Sequence, residues 1–68
     1  MPLNPYEERI VKIMYMYGRP MTKTQIANKS GIGWATVSKY LKSLSNIKRR
    51  VVYSKKGRNK KTYWYLNY

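Results

Sequence analysis

The stretch Ser30–Leu44, SGIGWATVSKYLKSL, decides how this chain folds. Gly31 and Gly33 stand directly before a run with helical spacing. At about 100° per residue, Val37, Leu41 and Leu44 gather on one side with Tyr40 at the flank. Ala35, Lys39 and Lys42 fall opposite, and Thr36, Ser38 and Ser43 lie laterally. The run therefore reads as a helix over about 34–45, with one core face and an outer face of small, hydroxylated and basic side chains.

The residues upstream explain the glycines. Thr22-Lys23-Thr24-Gln25 has the form of a capping box, with Gln25 three residues after Thr22. It opens a short helix over about 23–29 whose Ile26 and Ala27 face inward. Ser30-Gly31 ends it, with Gly31 expected at a positive φ that a residue without Cβ adopts freely. Helix, three-residue turn and helix make a unit in which one helix enters a major groove and the other braces it. Gly31 sets the angle between the helices, Ala27 lets them touch, and the outer face of the second stays free.

The flanks complete the fold. Asn4 caps, Pro5 suits the first helical position and Glu7 reaches back, which starts a helix over about 5–17. Its apolar face is expected to be Tyr6, Ile10, Ile13, Met14 and Tyr17. Gly18 supplies a left-handed cap and Pro20 prevents continuation. Asn46 is expected in the left-handed region after the third helix. Beyond it the period changes to two β-rich runs, Arg50–Ser54 and Thr62–Asn67, joined by the loop KKGRNKK. Trp64 and Leu66 are placed on the core side of this hairpin, and Tyr63 and Tyr65 on the other. Pro20–Met21 offers a short third edge. The fold class is α+β: one domain over residues 1–68, three helices and then a basic two-stranded hairpin over about 50–67.

Charge restricts the function. Fifteen Lys/Arg against two Glu give a formal net charge of +13. Residues 1–47 carry seven basic and two acidic groups; residues 48–68 carry eight basic groups and no acid. Such self-repulsion is relieved by a polyanion. With no Cys and no His, a disulfide, a thiolate metal site and histidine acid–base chemistry are all excluded. Glu7 and Glu8 are adjacent and read as helix-capping groups, so no enzyme activity and no cofactor are expected. The N-terminal apolar run is broken by Pro, Glu and Lys and reads neither as a secretory signal nor as a span of about 18 apolar residues. A cytoplasmic protein with no membrane role is expected.

TQIANKSGIGWATVSKYLKSL, followed by a basic hairpin ending in YWYLN, resembles a winged helix-turn-helix domain. It is similar to small archaeal and bacterial repressors of the arsenic-sensor and multiple-antibiotic-resistance types. The resemblance covers about 4–67 and rests on Ala27, Gly31, Ile32, Thr36-Val37-Ser38 and Leu41. It implies double-stranded DNA as the partner. The chain departs from the pattern at Gly33, where many members carry a hydroxylated residue, and at Trp34, which is bulky for a groove-facing position. The metal-binding Cys and His and the additional dimerisation helices of the sensor types are absent from this sequence, so no effector is implied. The Tyr-, Lys- and Ile-rich composition fits a hyperthermophilic archaeon or its virus, and then a host cytoplasm; nucleoid association is expected.

On the DNA reading, Trp34, Ala35, Ser38 and Lys39 lie nearest the bases, with Lys42 one turn further on. A lysine can donate to guanine and a serine hydroxyl can read several base edges. Gly33 and Thr36 face phosphate at the helix N-terminus. Trp34 either meets thymine methyls or covers Ile32 as a rim residue. In the hairpin loop, Arg58 is expected in the minor groove. Lys55, Lys56, Lys60 and Lys61, with Asn59 among them, are expected along phosphates. Thr22, Thr24, Gln25, Arg49 and Arg50 are further backbone candidates. Val11 and Tyr15, or Tyr63, Tyr65 and Tyr68, are surfaces for a homodimer. Three roles stay open: a sequence-specific regulator, a non-specific architectural protein, and an RNA- or protein-binding winged-helix module.

Overall fold

The structure, a computed structural model, describes residues 3–67. Three helices precede two strands: α1 (Pro5–Tyr17), α2 (Lys23–Ser30), α3 (Trp34–Leu44), β1 (Val52–Lys56) and β2 (Thr62–Leu66). The strands pair antiparallel, Val52 opposite Leu66 and Lys56 opposite Thr62. Met21 adds a single bridge on the far edge of β2, its N–H donating to the Trp64 carbonyl at 3.2 Å and its carbonyl accepting from Trp64 at 2.7 Å.

Local chemistry sets the helix ends. The Asn4 side chain accepts from the Glu7 N–H at 2.8 Å while the Asn4 N–H donates to Glu7 at 3.1 Å. Thr22 and Gln25 make the same reciprocal pair at 3.2 and 3.1 Å. Gly18 (φ 61°) and Gly31 (φ 72°) close α1 and α2 in the left-handed region, where a Cβ is strained. Ser30 adds a tie within the turn: its buried hydroxyl donates to the Ala27 carbonyl and accepts from the Ile32 N–H, each at 3.3 Å.

The core joins all five elements. Ile10 and Met14 of α1, Ile26 and Ala27 of α2, Ile32 of the turn and Val37, Leu41 and Leu44 of α3 pack with Met21, Val52 and Trp64. Each fully buried aliphatic side chain contributes about 1.5–3 kcal/mol. Trp64 is buried with its indole N–H unpaired, a cost of about 1–3 kcal/mol against the burial of its ring.

The structure corrects several sequence expectations. On α1, Tyr6 and Tyr17 are exposed, and Glu7 takes the buried position instead. Glu7, Ile10 and Met14 form the inward row because Arg49 neutralises the carboxylate there. Tyr6 lies outside, stacked on Tyr40 at 5.6 Å. Val11 is half-buried and packs against the core, which leaves only Tyr15 of that pair exposed. α3 ends at Leu44, and its cap Ser45 stays right-handed. Arg50 (φ 47°), not Asn46, adopts the left-handed conformation. The Asn46 carbonyl accepts from both the Arg49 and Arg50 N–H groups, which folds residues 46–50 into a turn. β1 consequently starts at Val52 and runs to Lys56, so Lys55 and Lys56 belong to the strand and the loop shortens to residues 57–61.

Candidate nucleic-acid interface

The buried row Val37, Leu41 and Leu44 fixes how α3 is rotated about its axis. That rotation exposes Trp34, Ala35, Lys39 and Lys42 and leaves Thr36 and Ser38 half-buried beside them. Gly33 caps α3 without a side-chain hydrogen bond. The first-turn amides of α3 therefore have no side-chain cap from Gly33 and are open to an outside acceptor. The Lys39 ammonium lies 5.5 Å from the Tyr40 ring, which steers it along the helix surface.

A groove of about 760 Å³ runs beside α3. The first turn of α2 forms one wall with Thr22, Lys23, Thr24 and Gln25; Trp34 enters from α3, and Lys61, Thr62, Tyr63 and Trp64 come from the hairpin. The Lys23 ammonium sits over the Trp34 indole at 4.5 Å, a pairing worth about 0.5–1 kcal/mol at an exposed site. The structure thus brings Thr22, Thr24, Gln25, Trp34 and Lys61 to one place. It adds Lys23, Thr62 and Tyr63, which the sequence reading did not assign to DNA contact. A capping box signals where α2 starts but not which hairpin residues face it. Thr22 and Gln25 use their side chains on each other, so their offer to a phosphate is limited to what the box leaves free.

The hairpin carries the other cations. Lys55, Lys56, Arg58, Asn59, Lys60 and Lys61 are all exposed. The cations project from the strand ends and from the 57–61 tip, giving a narrow basic blade. Lys55 lies 5.8 Å from the Tyr53 ring, and Tyr53 stacks on its cross-strand partner Tyr65 at 5.1 Å.

Arg49 is placed differently from the expectation that it meets a phosphate. Its guanidinium grips Glu7 through Nη1–Oε2 at 2.6 Å and Nη2–Oε1 at 3.2 Å, and Nη1 also donates to the Ser43 hydroxyl at 3.0 Å. The Arg49 hydrogen bond holds the Glu7 carboxyl below its ordinary pKa, against the opposing effect of burial; Asn4 and Ser43 add to the lowering. This triad ties the start of α1 to the end of α3 and to the turn before β1. Arg9 makes a parallel tie, donating to the Ser30 carbonyl at 3.2 Å. Arg50 is exposed, and its carbonyl accepts from the Asn67 side chain at 2.8 Å. Of the dimer candidates, Tyr15 is exposed, Tyr63 and Tyr65 are used within the hairpin, and Tyr68 lies outside the described residues. No helix of the described residues is long and apolar enough to cross a membrane. Among the described residues there is also no group of three or more His, Cys, Asp or Glu that could hold a metal ion.

No family model and no curated protein sequence matches the chain. Solved structures do. The chain superposes with a TM-score of 0.82 on the crystal structure of ZitR, a zinc-responsive MarR family member of Lactococcus lactis, at 26% identity. That match covers 98% of this chain and 45% of ZitR. ZitR in complex with DNA matches with a TM-score of 0.78, again at 26% identity, over 98% of this chain and 44% of that one. The chain thus spans less than half the length of these relatives. Its fold is the winged helix-turn-helix of the MarR-family regulators, with α2–turn–α3 as the helix-turn-helix and β1–β2 as the wing.

Proposed function

We propose that residues 1–68 act as one sequence-specific double-stranded DNA-binding unit and regulate transcription. The observation that carries this reading is the shared surface of α3 and the wing. Lys39 and Lys42 on α3 and the blade cations are exposed, and Lys23 and Lys61 line the groove that Trp34 enters from the first turn of α3. The likeness to a protein solved in complex with DNA supports it.

α3 enters the major groove with its first two turns. Ser38 and Lys39 meet base edges, Ala35 and Trp34 meet thymine methyls or sugar, and Lys42 reaches base or phosphate. Gly33 and Thr36 present the helix N-terminus to a phosphate. The groove beside Trp34 seats the flanking strand, with Lys23, Thr24 and Lys61 on its phosphates and Thr22 and Gln25 holding the helix that carries them. Arg58 enters the adjacent minor groove, while Lys55, Lys56, Lys60, Lys61 and Asn59 follow the backbone. Arg50 joins the backbone contacts; Arg49 acts through the fold by holding Glu7. No catalytic step and no cofactor belong to this reading. The site of action is the DNA of the cytoplasm, at the nucleoid or in a viral host.

A second reading, an architectural protein bound through counterion release, is favoured by one observation, the net charge of +13. Selection of bound duplexes from a random library in about 0.15 M salt with excess competitor separates the two. Two inverted half-sites about ten base pairs apart identify a dimeric regulator, with Tyr15 an exposed aromatic of α1 available to the contact. A single short motif identifies a monomer. Retention without enrichment identifies the architectural protein, and no retained DNA overturns both readings.

A further inference from the structure

The tip of the wing is built rather than merely charged. Gly57 does not adopt a positive φ, so backbone freedom is not why glycine stands there. Space is the reason: a Cβ at Gly57 would lie 2.7 Å from Cε2 and 3.0 Å from Cδ2 of Tyr63. The Tyr63 ring is pressed against the loop backbone at that point. Its hydroxyl accepts from the Asn59 side chain at 3.1 Å, and the other end of the same amide accepts from the Lys61 N–H at 3.1 Å. Gly57 donates to the Lys61 carbonyl at 2.8 Å, and Lys60, at φ 63°, donates to the Gly57 carbonyl at 3.1 Å. Arg58 stands inside this closed ring of bonds, flanked by the two residues that Tyr63 holds.

We infer that Tyr63 is the positioning residue of the wing: its ring on Gly57 and its hydroxyl on Asn59 preset the 57–61 tip, so that Arg58 meets DNA already ordered. This rests on the duplex-binding reading above. A flexible loop of five residues rich in Lys and Arg loses rotamer and backbone freedom when it docks, whereas a loop ordered beforehand has lost it during folding. The same logic explains why a tyrosine stands there. Phenylalanine would keep the ring contact and lose the Asn59 tie.

The test uses the whole chain and a duplex enriched by selection. Amide relaxation of the free protein should show residues 58–61 ordered, with order parameters near about 0.8, and Tyr63→Phe should drop them toward about 0.6. Tyr63→Phe and Asn59→Ala should each weaken duplex binding about three- to tenfold with thermal unfolding close to that of the parent. Combined with each other they should lose no more than Asn59→Ala alone. The deciding variant is Arg58→Ala: in that background Tyr63→Phe should have no further effect on binding, because an ordered tip without its arginine gains nothing. A mobile tip in the parent protein overturns the inference, as does a Tyr63→Phe loss that persists undiminished beside Arg58→Ala. Wild-type protein that retains no duplex overturns the inference together with the reading it rests on, so the two failures are distinguishable.

Discussion

α3 and the wing both expose cations, and different physics holds them in place. α3 is oriented by three side chains with no exposed surface, Val37, Leu41 and Leu44, and its exposed face follows from their burial. The hairpin buries Val52 and Trp64 in the core and packs Leu66 half-buried against it. Its order beyond Trp64 comes from local bonds around residues 57–63 and from the Tyr53–Tyr65 stack. A helix face can thus be aimed by tertiary packing on its opposite side, whereas a loop tip that projects beyond the core must be stiffened from within. On the proposed reading the difference suits two kinds of contact, base reading by α3 and backbone or minor-groove grip by the wing.

The largest effect that can break this comparison is on folding. Leu41→Ala should cost about 2–5 kcal/mol, as much as a core this small supplies, and chemical denaturation should find the variant largely unfolded. Tyr53→Ala, on the outer face of the hairpin, removes one cross-strand pair and should cost only about 0.2–1 kcal/mol. Comparable losses from the two would mean that the wing is as dependent on the core as α3 is.

The Glu7–Arg49 pair comes next. Glu7→Ala leaves a guanidinium that is largely buried without its partner and should cost about 3 kcal/mol, while Glu7→Leu with Arg49→Met together should recover most of that. Because the folded pKa of Glu7 lies below its ordinary value of 4.5, the pair's contribution is fully present above that value and is lost as pH falls through the folded pKa. Denaturation followed from pH 6 downward should show the parent weakening below about pH 4.5, and Glu7→Gln should flatten that limb. An unchanged limb would move the acid sensitivity away from Glu7.

Smaller effects separate reading from gripping. Lys39→Ala should reduce discrimination between preferred and altered duplexes by about 1–3 kcal/mol. Lys60→Ala should weaken all duplexes alike and lower the slope of log affinity against log salt by about one. If both variants behaved as Lys60→Ala, α3 would be gripping rather than reading. Smallest of all, Gly33→Ser adds the missing cap to α3 in open space, since a Cβ there meets nothing within 4 Å. It should stabilise the fold by a few tenths of a kcal/mol, read as a small rise in melting temperature.

The helices were legible because their signals are local. Asn4 and Thr22 announce starts, Gly18 and Gly31 announce stops, and the Val37–Leu41–Leu44 spacing gives the rotation of α3. Most of what was not legible depends on residues far apart in the chain. Glu7 read as a cap and is one, but its second role depends on Arg49, 42 residues later. Arg49 looked like one more cation in a basic cluster for the same reason. Tyr6 and Tyr17 had the right period for the core, yet the row that Glu7 joins is rotated away from them. In the wing, composition gave a hairpin, but the strand start depended on the turn at Asn46–Arg50. The groove at Trp34 also escaped the sequence, because nothing local says that Thr62 and Tyr63 lie opposite the first turn of α2.

On the proposed reading one surface, made of the outer face of α3 and the wing, meets DNA. Amide chemical-shift mapping of the isotope-labelled chain during titration with a selected duplex tests it most directly. The shifts should concentrate at residues 33–42, at Lys23 and its neighbours around the groove, and at residues 57–61. Tyr15, Met16 and the Tyr53–Tyr65 stack should stay largely unmoved. Shifts centred on α1 or on the outer face of the hairpin, with α3 silent, would mean that DNA meets another surface.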